Sequence, residues 1–536
     1  MDKQTFERNL IALSKFNPLL CSRLSSSLTT EGVYCFLESR SGETIPAIRE
    51  NDGSAHPLHS TIDPRREGER LISTLSEEGY LVFLGLGGAF AAEAALARDA
   101  TKKILIVEYD CNGLAELLSS RDYIELFQDH RLRLLCDPSA EQLEKFILNN
   151  FIPAIDGGIR VFPLRVRSDS DPRFGAAADI IRNTVELVSR DYSVQAYFGR
   201  RWFSNIIRNL SFAEKQSGSI APVRKAIICA AGPSLEEQLA EIKKHQTLNK
   251  KDKSESFLIA TDTSLPVLLQ SDIEPDAVVS IDCQHISYQH FFRMMPKRTQ
   301  LFLDLASSVQ VASRTENRIF FSGGHPFSLY ISRNWRFLPV LDTSGANVTY
   351  TSISLAEKLG AKELVLFGAD FSYPQGKTYA RGTYIYPYFD KIQSRYSPIE
   401  AQHSGFLYRD SSIEKKNSEQ GKWHYETRTL NFYREKVAQK KKALYDTKNR
   451  ELDLFSLGSS RQTAFSFLEQ YRKSIEKLDS FYPAICREQK EFPELVVTIL
   501  PLAAFFRRIN PSFNSSELFN SVKNFCLEEL SRVNHS

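Results

Sequence analysis

Apolar residues along this chain gather in short continuous runs separated by stretches of helical periodicity, and the alternation occurs in two blocks. The first block opens with Tyr80-Leu-Val-Phe-Leu-Gly-Leu-Gly-Gly-Ala-Phe90, a buried strand running into a glycine-rich turn. A helix over 91–98 and a second strand over 103–110 follow. This β-α-β unit carries an acidic residue, Glu108, about 20 positions after the glycines, where a ribose could be bonded. The GLGGAF run lacks the third glycine of the dinucleotide fingerprint, so a tight turn without ligand outweighs a working nucleotide site.

The second block is longer. Strands are predicted around 226–230, 257–262, 277–282, 299–304, 318–322 and 363–370, with helices after Ser234, through Leu269 and over 347–358. Unbroken apolar strands alternating with helices predict a parallel sheet covered on both faces. Four strands end in aspartate, Asp262, Asp282, Asp304 and Asp370, at the carboxyl edge where open α/β sheets bind ligands. Two turns, Gly232-Pro233-Ser234 and Thr343-Ser344-Gly345, each precede a helix and offer backbone N–H groups to an anion. Both serines also suit plain helix caps. Two such turns on one edge predict a single phosphate-holding pocket, with Asp304 structural.

These blocks give an α/β fold class: two Rossmann-like parallel-sheet domains in tandem, followed by a helical C-terminal region. The expected segments are an N-terminal module (1–60), a Rossmann-like accessory domain (61–185), a helical linker (186–220), a catalytic domain (221–430) and a mostly helical domain (431–536). Residues 385–422 read as a polar, tyrosine-rich, irregular lid. A strand-like piece is expected over 452–458.

Composition narrows the function. The 536 residues carry 68 basic and 65 acidic side chains, so a net charge of +3 gathers no polyanion and gives no support to a nucleic-acid role. The basic run 440–442 reads as a solvated helix face. Eight cysteines occur without a CxxC pair, the pattern of buried reduced thiols rather than a zinc or disulfide framework. The first residues lack a signal-peptide apolar region, and the apolar stretch 495–506 falls short of the roughly 20 residues that span a bilayer. A cytoplasmic protein without membrane insertion is expected.

The stretches AAGPSLEEQL, IATDTSLPVLLQSDIEPDAVVSIDCQ and TSGANVTYTSISLAEKLGAKELVLFGADFSYPQGKTYARGT resemble the central domain of bacterial motility accessory factors. LHSTIDPRREGERL, LVFLGLGGAF and ILIVEYD are similar to the domain preceding it. The resemblance covers about residues 55 to 460 and extends to bacterial sialyltransferases. It implies an enzyme that moves a nonulosonic, sialic-like acid from a CMP-sugar donor to Ser or Thr of flagellin. No metal and no further cofactor are implied. By that resemblance Gly232, Pro233 and Ser234 hold the donor phosphate or ribose, and Asp262 and Thr263 lie beside the nucleotide; Asp282 belongs to the same pocket by its strand-end position. Ser344 and Gly345 meet the cytidine and carboxylate side, while Gly368 and Asp370 shape the base pocket. Tyr373 and Tyr379 match the tyrosines that bond the leaving phosphate, given one residue inserted after Asp370.

An oxocarbenium-like transition state needs stabilisation of phosphate charge and removal of the acceptor proton. His403 takes the second role by its place in the lid, with His424 behind it. Ala231 and Leu341 stand where sialyltransferases carry an asparagine and a basic residue. Two alternatives remain: a flagellin-binding or secretion-assisting protein without catalysis, and a Mg-ATP-dependent pterin pyrophosphokinase-like enzyme.

Overall fold

The computed structural model describes residues 2–26, 33–49, 54–75, 79–216, 219–249, 256–292, 295–417, 422–446, 455–456, 458, 460, 462–481 and 494–533. The chain forms two compact units. Residues 1–197 with 503–518 belong to the first, and 198–480 with 492–502 and 519–536 to the second.

The first unit holds a four-stranded parallel sheet in the order Leu132–Cys136, Thr101–Glu108, Gly79–Leu84, Gly158–Pro163. The Gly79–Leu84 strand is buried at every position, as a central parallel strand should be. The first 60 residues differ from the irregular module expected of them. Asp2 and Asn17 cap the helices Lys3–Ser14 and Pro18–Ser25, and Phe6, Leu13, Leu20 and Leu24 are buried in the same apolar cluster as Ile104 and Leu117. The antiparallel strands Tyr34–Glu38, Thr44–Arg49 and Ala55–Pro57 follow.

One helix, Pro172–Glu214, runs for 43 residues, so the expected linker 186–220 is largely its second half. It has a structural role there, burying Phe203, Ile206, Ile207 and Leu210. The second unit contains the six-stranded parallel sheet in the order Arg318–Phe321, Gln300–Asp304, Ala277–Ser280, Phe257–Thr261, Lys225–Cys229, Glu363–Phe367. Every strand predicted for this block is present. The chain steps outward from Lys225–Cys229 strand by strand, then the helix Val348–Lys358 carries it back to pair Glu363–Phe367 on the other side. Two α/β units with parallel sheets and helical C-terminal segments are the architecture the pattern implied.

The segment expected to be an irregular lid is instead regular. It comprises helices Ile385–Ile392 and Ile399–Leu407 and the strands Glu414–Asn417 and Trp423–Glu426, the latter pairing with Tyr373–Pro374. Most of the strand-like 452–458 stretch lies outside the described residues; Phe455–Ser456 pairs with Ser219–Ile220. Among the described residues no helix is long and apolar enough to cross a membrane.

Candidate active site on the central sheet

The carboxyl edge of the six-stranded sheet begins its chemistry at two strand ends. Asp262, 2% exposed, follows Phe257–Thr261. One of its oxygens accepts from the Thr263 N–H (2.7 Å) and hydroxyl (3.1 Å), and the other from the Ser280 hydroxyl (2.8 Å) on the neighbouring strand. Asp282 follows that strand and accepts from the Gln284 N–H at 2.9 Å. Burial, then the nearby charge of Asp262, raises the Asp282 carboxyl above its ordinary pKa.

Just beyond, the turn His285–Phe291 presents His290. This imidazole is 8% exposed, and its Nδ1 has no hydrogen-bond partner among the described residues. It meets the Tyr384 ring edge-to-face at 4.6 Å between centroids, close enough to Asp282 for their charges to interact. Burial raises the Tyr384 hydroxyl, and the charges of Asp262 and Asp282 add to it, while Arg409 opposes them. Tyr379 stands 6.2 Å from Tyr384 by ring centroids. Its hydroxyl is likewise pushed up, by burial first and then by Tyr384, Tyr373, Asp262 and Tyr433. Burial also raises Tyr373, with Asp410 and Tyr433 contributing. Two carboxylates, an imidazole whose Nδ1 makes no hydrogen bond among the described residues, and a group of phenols therefore gather in mid-sheet. Sequence reasoning found Asp262, Thr263, Asp282, Tyr373 and Tyr379; it missed His290, Tyr384, Arg409 and Tyr433. These come from four separate stretches of the chain, and no spacing along it could join them.

His403 sits differently from its expected place in an open loop. It is buried in the helix Ile399–Leu407, its Nδ1 3.0 Å from the Thr378 hydroxyl and its ring 5.5 Å from Tyr386 and 5.1 Å from Phe389. Burial, and then the charge of Lys377, lowers its pKa, so it is neutral near pH 7. The Thr378 bond ties the helix to the loop that carries Tyr379. His424 pairs with Glu426 at 3.2 Å.

The two anion-binding turns already hold carboxylates. At Gly232-Pro233-Ser234, the Ser234 N–H donates to Asp370 Oδ2 (3.1 Å) and the Gly232 N–H to the Gly368 carbonyl (2.8 Å). Gly368, at φ 62°, donates its own N–H to Gln238 (2.8 Å). An incoming phosphate would have to displace Asp370. At Thr343-Ser344-Gly345, the Ser344 N–H donates to Asp342 (3.0 Å), which also accepts from Tyr350 (2.8 Å) and pairs with Lys440 (3.1 Å). Although burial opposes it, these bonds draw Asp342 down to about 2. Lys440 also meets Glu357 at 3.0 Å, so it is not the solvated face residue expected.

The strand order separates the two turns. Gly232 follows Lys225–Cys229, whereas Thr343 bonds to Gly323 and its segment pairs beside Ser322 at the far edge. The two turns therefore follow strands that stand four places apart in the sheet order. Leu341 is a core side chain, 1% exposed, and Ala231 uses its carbonyl to hold the Ala380 N–H.

The glycine turn of the first unit is likewise self-satisfied. Glu108 accepts from the N–H groups of Leu86 and Tyr109, both at 3.0 Å, instead of standing free for a ribose. His59 Nε2 accepts from the Gly88 N–H at 2.8 Å. Nearby, Cys111 and Cys136 bring their sulfurs to 3.1 Å, with Asp137 beside them, a grouping concealed by their separation of 25 positions along the chain. That separation is shorter than the roughly 3.8 Å of two thiolates on one tetrahedral zinc, and burial raises both thiols.

Fold and site together define a two-unit, Rossmann-like α/β protein with a candidate active site at the carboxyl edge of its second sheet. Residues 200–376, the segment that carries Asp262 and Asp282, match the 6-hydroxymethylpterin diphosphokinase MptE-like family model. A solved MAf glycosyltransferase from Magnetospirillum magneticum AMB-1 shares the fold over 99% of this chain and 95% of its own, with a TM-score of 0.57 at 14% identity. Two uncharacterized proteins of Treponema pallidum (strain Nichols) are similar in sequence. One is 39% identical over 121 residues, 23% of this chain and 42% of that protein. The other is 24% identical over 308 residues, 56% of this chain and 50% of that protein. The chain spans about half the length of the curated relatives it matches.

Proposed function

We propose that this protein is a glycosyltransferase that moves a nonulosonic acid from a CMP donor to Ser or Thr hydroxyls of flagellin, without a metal, in the cytoplasm. The observation that carries the reading is the convergence of Tyr379 and Tyr384 on Asp262, Asp282 and His290. The likeness to a MAf glycosyltransferase along the whole fold supports it. Departure of CMP builds charge on the phosphate, and phenol O–H groups with Arg409 are placed to meet it as donors. The acceptor hydroxyl must lose a proton as the new bond forms. His290, with a vacant ring nitrogen and an acidic neighbour to stabilise its imidazolium, is better placed for this than His403, whose Nδ1 is engaged. His403 then acts by holding the Tyr379 loop through Thr378.

Intact-mass analysis of flagellin from a deletion strain tests the reading, with complementation by wild type, Tyr379→Phe, His290→Gln and His403→Ala. Loss of the sugar mass on deletion, restored by wild type and not by His290→Gln, is the expected result. Unmodified mass in all strains removes the transferase. If every variant restores the mass, the residue roles fail. The family model's name favours a second reading, pyrophosphoryl transfer from Mg-ATP to a pterin. Release of AMP on mixing the protein with Mg-ATP and 6-hydroxymethylpterin would establish that reading instead.

A further inference from the structure

The opposite edge of the first unit's sheet, where the parallel strands begin, has a cavity of about 460 Å³. Its lining is rich in basic side chains: Lys102 and Lys103 from the start of one strand, and His130, Arg131 and Arg133 from the approach and start of the next. Asp99 is the carboxylate among the lining residues. Lys103 pairs with Asp156 at 3.0 Å, and Asp129 meets both Arg131, at 2.7 Å, and His130, at 3.8 Å.

Arg133 makes no such pair. Its guanidinium donates to the carbonyls of His130 (2.8 Å) and Leu132 (2.7 Å), and among the described residues no carboxylate lies within ion-pair distance of it. A partly buried guanidinium without an anion is electrostatically costly, and such charges are ordinarily paired. Burial pulls the pKa of both Arg133 and Lys103 down, and the charge of Arg133 depresses Lys103 further. Thr101, 3% exposed, stands at the same wall, and its hydroxyl has no hydrogen-bond partner among the described residues. An uncompensated cation and an orphaned hydroxyl beside a roomy cavity are two separate signs of a missing ligand.

We propose that this cavity binds a phosphate-bearing small molecule, whose phosphoryl oxygens neutralise Arg133 and lie within reach of Thr101 and Lys102. Guanidinium forks receive phosphate in bidentate fashion, and donors arriving from two strands suit a tetrahedral oxyanion better than a planar carboxylate. The volume exceeds that of a single phosphate, so an ester of sugar-phosphate size is the class of ligand. The site is independent of sugar transfer at the other unit's sheet.

The test uses the full chain at low ionic strength, titrated calorimetrically with inorganic phosphate, glycerol 3-phosphate and acetate, with hydrogen–deuterium exchange to locate binding. Glycerol 3-phosphate is expected to bind most tightly and to protect residues 99–103 and 130–133. Arg133→Gln should weaken it at least tenfold. Should Arg133→Gln fail to fold, Thr101→Val, which exchanges the hydroxyl for a methyl group, should still weaken binding severalfold. Inorganic phosphate binding as tightly as the ester would overturn the ester class, and acetate doing so would overturn phosphate recognition altogether. Protection confined to other segments, or wild-type affinity in the folded variants, would overturn the site.

Discussion

Gly232 has no room for a side chain. A Cβ there would stand 2.0 Å from Asp370 Oδ2 and 2.6 Å from the Gly368 carbonyl, so the turn closes only around glycine. Gly232→Ala should therefore break the Gly232 to Gly368 bond and lower thermal stability by several degrees, roughly 1–3 kcal/mol, in a melting scan. Asp304 makes a prediction of a different kind. Buried at its strand end, it accepts from the Ala306 N–H at 2.7 Å, yet burial pushes its pKa to about 6. Because the folded value is raised from 3.8, the folded state holds this proton more tightly than the unfolded chain. Its contribution is full below pH 3.8 and is lost as pH climbs through about 6, a swing of about 3 kcal/mol at most. Denaturant titrations between pH 4 and 7 should show that slope, and Asp304→Asn should flatten it; an unchanged slope would place the titration elsewhere. At this scale the sequence revealed Asp262 and Asp282 because they end apolar runs. It hid His290 and Tyr384, because an imidazole in a short turn becomes informative only once a ring from nearly a hundred residues onward packs on it.

Elements were read with a similar division. The six strands of the second sheet were legible because fully buried parallel strands are continuous apolar runs, and aspartates marked the ends of four of them. Leu132–Cys136 and Gly158–Pro163 escaped notice because arginines interrupt them, Arg133 and Arg160, on strands with partly exposed positions. The lid was misread because its helices are short and rich in tyrosine, and their apolar face, Ile385, Tyr386 and Phe389, is a small satellite cluster. Helix packing gives the sharpest test at this scale. Gly199 on the long helix approaches the helix Glu494–Ile509 so closely that a Cβ would lie 2.0 Å from the Pro501 carbonyl. Gly199→Ala would ordinarily favour a helix by about 1 kcal/mol. Here it should destabilise, because two helix backbones must part. A rise in melting temperature would refute that close approach.

Across the whole molecule, the cores are not finished in chain order. Ala503, Ala504 and Leu518, all 0% exposed, count with the first unit, whereas Val496, Ile499, Leu502, Val522 and Cys526, also 0% exposed, count with the second. Arg507 donates to the Ala154 carbonyl at 3.1 Å in the first unit, and Thr498 meets Tyr471 at 2.6 Å in the second. A chain stopped at residue 493 should thus leave apolar surface open in both units and appear in the insoluble fraction, where the full chain does not. If the truncated chain is recovered soluble and resists protease, the closing role of these helices is wrong. During synthesis the same arrangement imposes an order: neither half can be sealed on the ribosome until the last helices have emerged, which makes late translation the interval when a chaperone has most to shield.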